Sequence, residues 1–142
     1  MTPAELAALH AAAFTRDRPW SAEEFASLLD SPFVALTTRP GGFALTRTIV
    51  DESELLTLAV DPARQRRGIG RALVHDWITA LPPETTSAFL EVAADNTPAR
   101  ALYASLGFAE VATRRAYYAR STGPAVDACI LRRTLTHGHS GN

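Results

Sequence analysis

Gln65-Arg66-Arg67-Gly68-Ile69-Gly70 is the stretch that decides the fold of this chain. It lies between an apolar run typical of a strand, Leu55 to Val60, and an amphipathic run typical of a helix, Arg71 to Leu81. Backbone N–H groups at a helix start have no partner within the helix and carry partial positive charge, so they attract phosphate. Glycines in such a turn let a phosphate reach the backbone. The stretch therefore predicts a phosphate-binding turn between a strand and a helix.

Two common phosphate-binding motifs do not fit this turn. A dinucleotide-binding motif needs a third glycine at the position of Leu73, and a P-loop needs Gly-Lys followed by Ser or Thr. The guanidinium groups of Arg66, Arg67 and Arg71 suit the geometry of phosphate oxygens and support a phosphate ligand. A surface turn that happens to carry basic residues is the alternative that the six residues leave open.

The composition is that of an ordinary globular protein. The 142 residues are 46% hydrophobic and 20% charged, which suits one domain with a core. The net charge of -1 argues against nucleic acid as a partner, and no apolar run approaches the roughly 20 residues that span a membrane. The single cysteine, Cys129, allows no internal disulfide, so we expect a cytoplasmic protein. We expect one domain over residues 1–135 and a disordered tail over residues 136–142.

The rest of the pattern predicts helices and strands in the order ααβββαβαββ. Capping boxes start two helices, at Thr2 to Glu5 and at Ser21 to Glu24, and Trp20 is placed to pack on Phe25 as a hydrophobic staple. A later helix has Asn96 as its N-cap. Strands are predicted over residues 33–38, 43–50, 53–60, 88–92, 108–113 and 126–133. The third and fourth strands flank a helix, so they should be parallel in an α/β fold with a mixed, mostly antiparallel sheet and flanking helices.

A second motif lies beyond the turn. It consists of Leu90-Glu91-Val92, then Asn96, then Leu102-Tyr103-x-x-Leu106-Gly107-Phe108. Together with the glycine-rich turn, this motif resembles the GNAT superfamily of N-acetyltransferases. Within that superfamily the chain resembles the bacterial ribosomal-protein-alanine N-acetyltransferases of the RimI type, from about Phe14 to Leu135. The narrower resemblance includes Tyr117-Tyr118 and Asp127-Ala128.

The resemblance implies the acyl-CoA N-acyltransferase fold and the transfer of an acetyl group from acetyl-CoA to an amine. It implies that the acceptor is the N-terminal α-amine of a protein such as a ribosomal protein, with Glu91 as general base and Tyr103 as general acid. It implies coenzyme contacts at Leu58, Ala59, Val60, Gln65, Arg66, Arg67, Gly68, Ile69, Gly70, Arg71, Asn96 and Tyr103. It implies acceptor contacts at Trp20, Tyr117 and Tyr118.

The roles of these residues have structural alternatives. Glu91 lies on a mostly apolar strand, where burial disfavours a charge, but a carboxylate there also fits a solvated face or a pair with an arginine. Tyr103 has a spacing that also fits core packing, and Tyr117 and Tyr118 also fit the edge of a sheet. The histidines lack the spacing of metal ligands, so no metal is expected, and Cys129 reads as a buried thiol.

Two departures from the family pattern affect the acceptor side. Ala93 stands where family members often carry arginine, and the loop over residues 120–126 lacks the acidic residue often found before Asp127. These departures leave the coenzyme site intact and concern the choice of acceptor. An acetyltransferase for small-molecule amines and a coenzyme-binding module without catalysis are the two alternatives to a protein N-terminal acetyltransferase.

Overall fold

The predicted order of elements is present in a computed structural model of the chain, which describes residues 1–14, 18–120 and 122–136. The helices are α1 (Pro3–Ala13), α2 (Ala22–Leu29), α3 (Ile69–Thr79) and α4 (Thr97–Ser105). The strands are β1 (Val34–Arg39), β2 (Gly42–Ile49), β3 (Glu52–Val60), β4 (Ser87–Ala93), β5 (Ala109–Tyr118) and β6 (Val126–Thr134). A short 3-10 turn, which the sequence did not predict, covers Pro62–Arg64. The predicted tail lies outside the described residues from position 137 onward.

The predicted helix starts are confirmed by their caps. Both capping boxes have the two reciprocal hydrogen bonds, between Thr2 and Glu5 and between Ser21 and Glu24. The rings of Trp20 and Phe25 lie 5.5 Å apart, as expected for a hydrophobic staple. Local sequence therefore fixes where α1 and α2 begin.

Three predicted boundaries are wrong, the two ends of α3 and the end of β5. Helix α3 begins at Ile69, two residues before the predicted run, because Gly68 in a left-handed conformation forms its N-cap. The helix ends at Thr79, with Ala80 as its C-cap, two residues before the predicted end. Strand β5 continues to Tyr118 instead of ending at residue 113. It continues because its polar second half pairs with β6 across a shift of register between Arg114 and Tyr118.

The six strands are hydrogen-bonded in the order β1-β2-β3-β4-β6-β5. Strands β1 and β2 are antiparallel, as predicted for a meander. Strand β3 pairs with β4 in parallel over Glu52–Leu55 and Ser87–Leu90, which confirms the predicted parallel pair. Strand β4 pairs with β6 in antiparallel fashion over its whole length, and β6 pairs with β5 in the same way.

The chain divides into two compact units, Met1–Thr48 with Leu56–Ala80 and Ile49–Leu55 with Leu81–Asn142. The core of the first unit contains Leu6, Phe25, Phe43, Leu45 and Ala59. Close packing there requires a glycine at position 42, since a Cβ atom would lie 2.9 Å from Ile69 Cγ2 and 3.0 Å from the Ala59 carbonyl oxygen. The second unit buries Leu90, Val92, Phe108, Cys129 and Leu131.

Candidate active site

The glycine-rich turn presents open backbone to solvent at the start of α3. Gly68 has a φ of +77°, and no side-chain hydrogen bond caps the helix. A Cβ atom at this position would meet nothing within 4 Å, so the space in front of the backbone is open. The side chains of Arg66, Arg67 and Arg71 are exposed around it. This arrangement fits a pyrophosphate group.

The turn is held in place by the residues that precede it. The backbone N–H of Asp61 donates to the Gly41 carbonyl at 2.7 Å, and the Asp61 side chain accepts from the backbone N–H of Ala63 at 2.9 Å. The backbone N–H of Arg64 donates to the Asp61 carbonyl at 2.8 Å. These bonds fix the path of the chain from the end of β3 toward Gly68.

The end of β3 alternates between two environments. Ala59 is buried in the core of the first unit, whereas Leu58 and Val60 are half-buried on the other face of the strand. Such alternation is the normal pattern of a strand with one face on a core. The side chains of Leu58 and Val60 are therefore available at the sheet surface.

Glu91 lies on β4 with its carboxylate beside a guanidinium. The Arg114 Nε atom is 3.3 Å from Glu91 Oε2, and 25% of the Glu91 side chain is exposed. Of the surroundings that the sequence left open for Glu91, the structure shows a pair with an arginine, because β6 and β5 bring one to the same sheet face. The sequence left a pair with an arginine open, but it did not identify Arg114 as the partner.

Tyr103 is a buried residue of α4. It is 7% exposed, and its ring meets that of Phe108 edge-on with centroids 6.0 Å apart. Burial raises the pKa of the Tyr103 phenol above its usual value of 10.0. The phenol therefore stays protonated at neutral pH and can donate a hydrogen bond. The predicted N-cap of α4 is present, since Asn96 Oδ1 accepts from the backbone N–H of Ala99 at 3.3 Å.

A bulge in β5 carries the two adjacent tyrosines. Ala116 has a φ of +50°, and its backbone N–H donates to Asp127 Oδ1 at 2.8 Å. The bulge leads into Tyr117 and Tyr118, whose rings meet edge-on with centroids 5.2 Å apart. Tyr117 is 51% exposed, so one face of this pair is open to a ligand.

Arginines flank the tyrosine pair on both sides. The guanidinium of Arg114 lies 5.2 Å from the Tyr117 ring centroid, and that of Arg120 lies 5.8 Å from the Tyr118 ring centroid. Arg120 also forms two hydrogen bonds to the Asp95 carboxylate, at 3.0 and 2.8 Å. Cation–π contacts and an ion pair between an arginine and a carboxylate thus hold this part of the second unit.

Trp20 is anchored by His10. From the sequence, the histidines were considered only as metal ligands, and His10 had no role. His10 Nδ1 accepts from the Trp20 backbone N–H at 3.1 Å, so Nε2 carries the hydrogen and meets Thr57 Oγ1 at 3.2 Å. The buried His10 ring stacks on Phe14 with centroids 4.3 Å apart. Apolar spacing in α1 gave no signal for the two hydrogen bonds, because Trp20 and Thr57 lie 10 and 47 residues from His10.

The structure brings some of the predicted residues together and separates others by unit. Glu91, Tyr117 and Tyr118 belong to the second unit and are linked through Arg114, whereas Trp20 and the glycine-rich turn belong to the first unit. Cys129 is buried, as expected. Among the described residues, no group of three or more His, Cys, Asp or Glu side chains could hold a metal ion. No helix in the described part of the chain is long and apolar enough to cross a membrane.

The fold and the glycine-rich turn define an acetyltransferase. The acetyltransferase (GNAT) family matches residues 4–108, and the chain belongs to this family. It is an acetyl-CoA-dependent N-acetyltransferase, as the resemblance implied.

The chain is similar to two named bacterial N-acetyltransferases. The chain is similar to the ribosomal protein bS18-alanine N-acetyltransferase of Escherichia coli, with 41% identity over 118 residues that cover 80% of this chain and 79% of that protein. It is similar to the N-alpha-acetyltransferase RimI of Mycobacterium tuberculosis, with 40% identity over 136 residues that cover 89% and 83%. The crystal structure of the Escherichia coli ribosomal-protein-S18-alanine N-acetyltransferase matches with a TM-score of 0.82 and 35% identity, over 96% of this chain and 90% of that one.

The buried Tyr103 phenol predicts a specific loss of stability at alkaline pH. Burial raises the pKa of this phenol above 10. Its contribution to the stability of the folded protein is therefore fully present below about pH 10 and is lost as the pH rises through the folded-state pKa. All fourteen basic side chains are arginines, which stay charged, so tyrosines and Cys129 are the main groups left to titrate there. The free energy of unfolding, measured with urea between about pH 9 and 11, should fall less steeply with pH in Tyr103→Phe than in wild type. The two slopes should differ by up to about 1.4 kcal/mol per pH unit. Tyr117→Phe is the control, and an equal slope in Tyr103→Phe and wild type would contradict the prediction.

Proposed function

We propose that this enzyme acetylates the N-terminal α-amine of a protein, such as a ribosomal protein. The observation that carries the proposal is the 40–41% identity to proteins named for an alanine of ribosomal protein bS18 and for N-alpha-acetylation. The match covers 80–89% of the chain. The exposed Tyr117 on its bulge supports a peptide acceptor, because an aromatic face suits a flat peptide unit.

The glycine-rich turn holds the pyrophosphate of acetyl-CoA in this proposal. Open N–H groups at the start of α3 donate to the phosphate oxygens, while Arg66, Arg67 and Arg71 supply positive charge. Gln65 and Ile69 flank these groups, and Gly70 lies in the first turn of the helix. The open space in front of Gly68 supports this assignment.

The end of β3 contacts the pantetheine arm in this proposal. The backbone of Leu58, Ala59 and Val60 pairs with the pantetheine amides as a neighbouring strand would, and Asn96 adds a contact near the start of α4. The half-buried faces of Leu58 and Val60 supply apolar surface beside that arm. Together these contacts orient the thioester toward the acceptor.

Glu91 and Tyr103 perform the proton transfers in this proposal. Glu91 takes the proton that the acceptor amine must lose, directly or through water, and the free amine attacks the thioester carbonyl. Tyr103 donates its hydrogen to the sulfur as the carbon–sulfur bond breaks. The buried phenol suits that role because it is protonated throughout the neutral range. Trp20, Tyr117 and Tyr118 bind the acceptor.

The first test of the coenzyme site is Gly70→Glu. A glutamate in the first turn of α3 places bulk and negative charge against a phosphate, so acetyl-CoA affinity should fall by several kcal/mol while the protein stays folded. Titration calorimetry with acetyl-CoA measures the effect. His75→Glu, which places the same charge at an exposed position farther along the same helix, is the matched control. Equal affinity in Gly70→Glu and wild type would exclude the glycine-rich turn as the pyrophosphate site.

The role of Tyr103 is tested by removing its hydroxyl alone. Tyr103→Phe keeps the ring that packs on Phe108, so turnover should fall by about 10²–10⁴-fold with little change in acetyl-CoA affinity. Steady-state kinetics and calorimetry of the same preparation separate the two effects. Full turnover, or loss of folding instead of turnover, would leave Tyr103 as a packing residue.

The kind of acceptor is tested through Glu91. An α-amine has a reference pKa of about 8, whereas a lysine amine has about 10.4, so the free lysine base costs about 3 kcal/mol more at neutral pH. Glu91→Gln should therefore slow acetylation of a peptide α-amine strongly at about pH 7, and part of the loss should return by about pH 9.5. A peptide with a free N-terminus should outcompete the same peptide that is blocked there and carries a lysine.

A peptide panel measured from about pH 6.5 to 9.5 checks both expectations. Glu110→Gln, which neutralises an exposed carboxylate on β5, is the matched control. Wild-type activity of Glu91→Gln at every pH would exclude Glu91 as the base. A preference for the blocked peptide, or for a small-molecule amine over every peptide, would overturn the N-terminal acceptor and leave the acetyltransferase activity in place.

A further inference from the structure

Arg114 stands beside the residue that the proposed mechanism uses as its base. Its Nε atom lies 3.3 Å from Glu91 Oε2, and 55% of the Arg114 side chain is exposed against 25% for Glu91. We propose that Arg114 is a positioning residue for acetyl transfer, which holds the Glu91 carboxylate in the orientation that accepts the proton of the acceptor amine. The inference rests on the proposed function, in which Glu91 accepts the proton of that amine.

Strand register explains why these two residues meet. Glu91 pairs with Ile130 of β6, and Arg114 pairs with Ala128, two residues away on the same strand. Alternate residues of a strand point to the same face, so Glu91 and Arg114 share one face across β6. Two separate strand pairings therefore set the contact, and neighbours along the chain do not.

The guanidinium of Arg114 is held from its other side as well. It lies over the Tyr117 ring at 5.2 Å, and Tyr117 follows the bulge that Asp127 stabilises through the backbone N–H of Ala116. A guanidinium stacked on an aromatic ring has fewer orientations to lose when it binds a carboxylate. Arg114 thus reaches Glu91 from a supported position.

Other charged groups on this face of the second unit have their own partners. Arg132 of β6 donates to Glu52 Oε2 at 2.9 Å and to Ser87 Oγ at 2.7 Å, and it lies over the Phe89 ring. Glu54 of β3 lies opposite Phe89 in the strand register and is not without a partner. Arg114 is therefore the cation that the structure places against the Glu91 carboxylate.

A guanidinium suits this role because it does not deprotonate at any pH at which the enzyme works. A fixed positive charge 3.3 Å from one carboxylate oxygen restrains the orientation of the carboxylate, and a general base must lie within hydrogen-bond reach of the proton that it accepts. The pair is half exposed, so its contribution is modest, and removing the charge should lower kcat/KM by about five-fold rather than abolish it.

The test is a double-mutant cycle with a matched neighbour. Arg114→Gln, Arg114→Lys and Arg115→Gln are each made in the wild-type and Glu91→Gln backgrounds, and kcat and KM are measured with acetyl-CoA and a peptide with a free N-terminus. Arg114→Gln should lower kcat/KM by about five-fold through kcat, with little change in the acceptor KM. Arg114→Lys should restore most of the loss, and Arg115→Gln, with the same change of charge one residue away, should leave kcat unchanged.

The Glu91→Gln background separates this inference from the proposed function. If Arg114 acts through the carboxylate, Arg114→Gln should have no further effect once Glu91 is glutamine. A slow Glu91→Gln enzyme in which Arg114→Gln causes the same loss as in wild type would overturn the role of Arg114 and leave Glu91 as the base. A rise in acceptor KM alone, present in both backgrounds, would instead make Arg114 an acceptor-binding residue. A fully active Glu91→Gln enzyme would remove the proposed base, and the role of Arg114 with it.

Discussion

Hydrogen bonding along both edges of β4 is the constraint on which the second unit depends. The strand pairs with β3 on one side and, over its whole length, with β6 on the other. Pairing on both sides over residues 87–90, and with β6 along the whole strand, leaves β4 little freedom to slip. Leu90 and Val92 are therefore fixed in the buried layer, and Glu91 is fixed on the opposite face, within reach of Arg114.

The bulge in β5 is the second feature that shapes this region. Ala116 adopts a left-handed backbone, which costs an L-residue about 1–2 kcal/mol. The hydrogen bond from its N–H to the Asp127 carboxylate is charge-assisted and offsets that cost. The bulge changes the register between Arg114 and Tyr118. The Arg114 guanidinium and the Tyr117 ring, three residues apart in the chain, lie against each other there. A regular strand would send alternate residues to opposite faces.

All fourteen basic side chains of this chain are arginines. Their planar forks make two-bond contacts with carboxylates, as Arg39 does with Asp76 and Arg120 with Asp95. A guanidinium also stacks on aromatic rings, which Arg114, next to Tyr117, exploits. The choice of arginine has a chemical consequence as well, since the chain offers no ε-amine of its own to the activated acetyl group.

The sequence by itself determined the order of helices and strands, the capping boxes at Thr2 and Ser21, and the place of the glycine-rich turn. Each of these depends on interactions within a few residues, which local patterns record. The tertiary structure alone decided the extension of β5 to Tyr118 and the partner of Glu91. Both depend on how distant strands align, and a shift of one residue in that register would turn Arg114 to the other face. Side-chain spacing within one strand carries no record of that alignment.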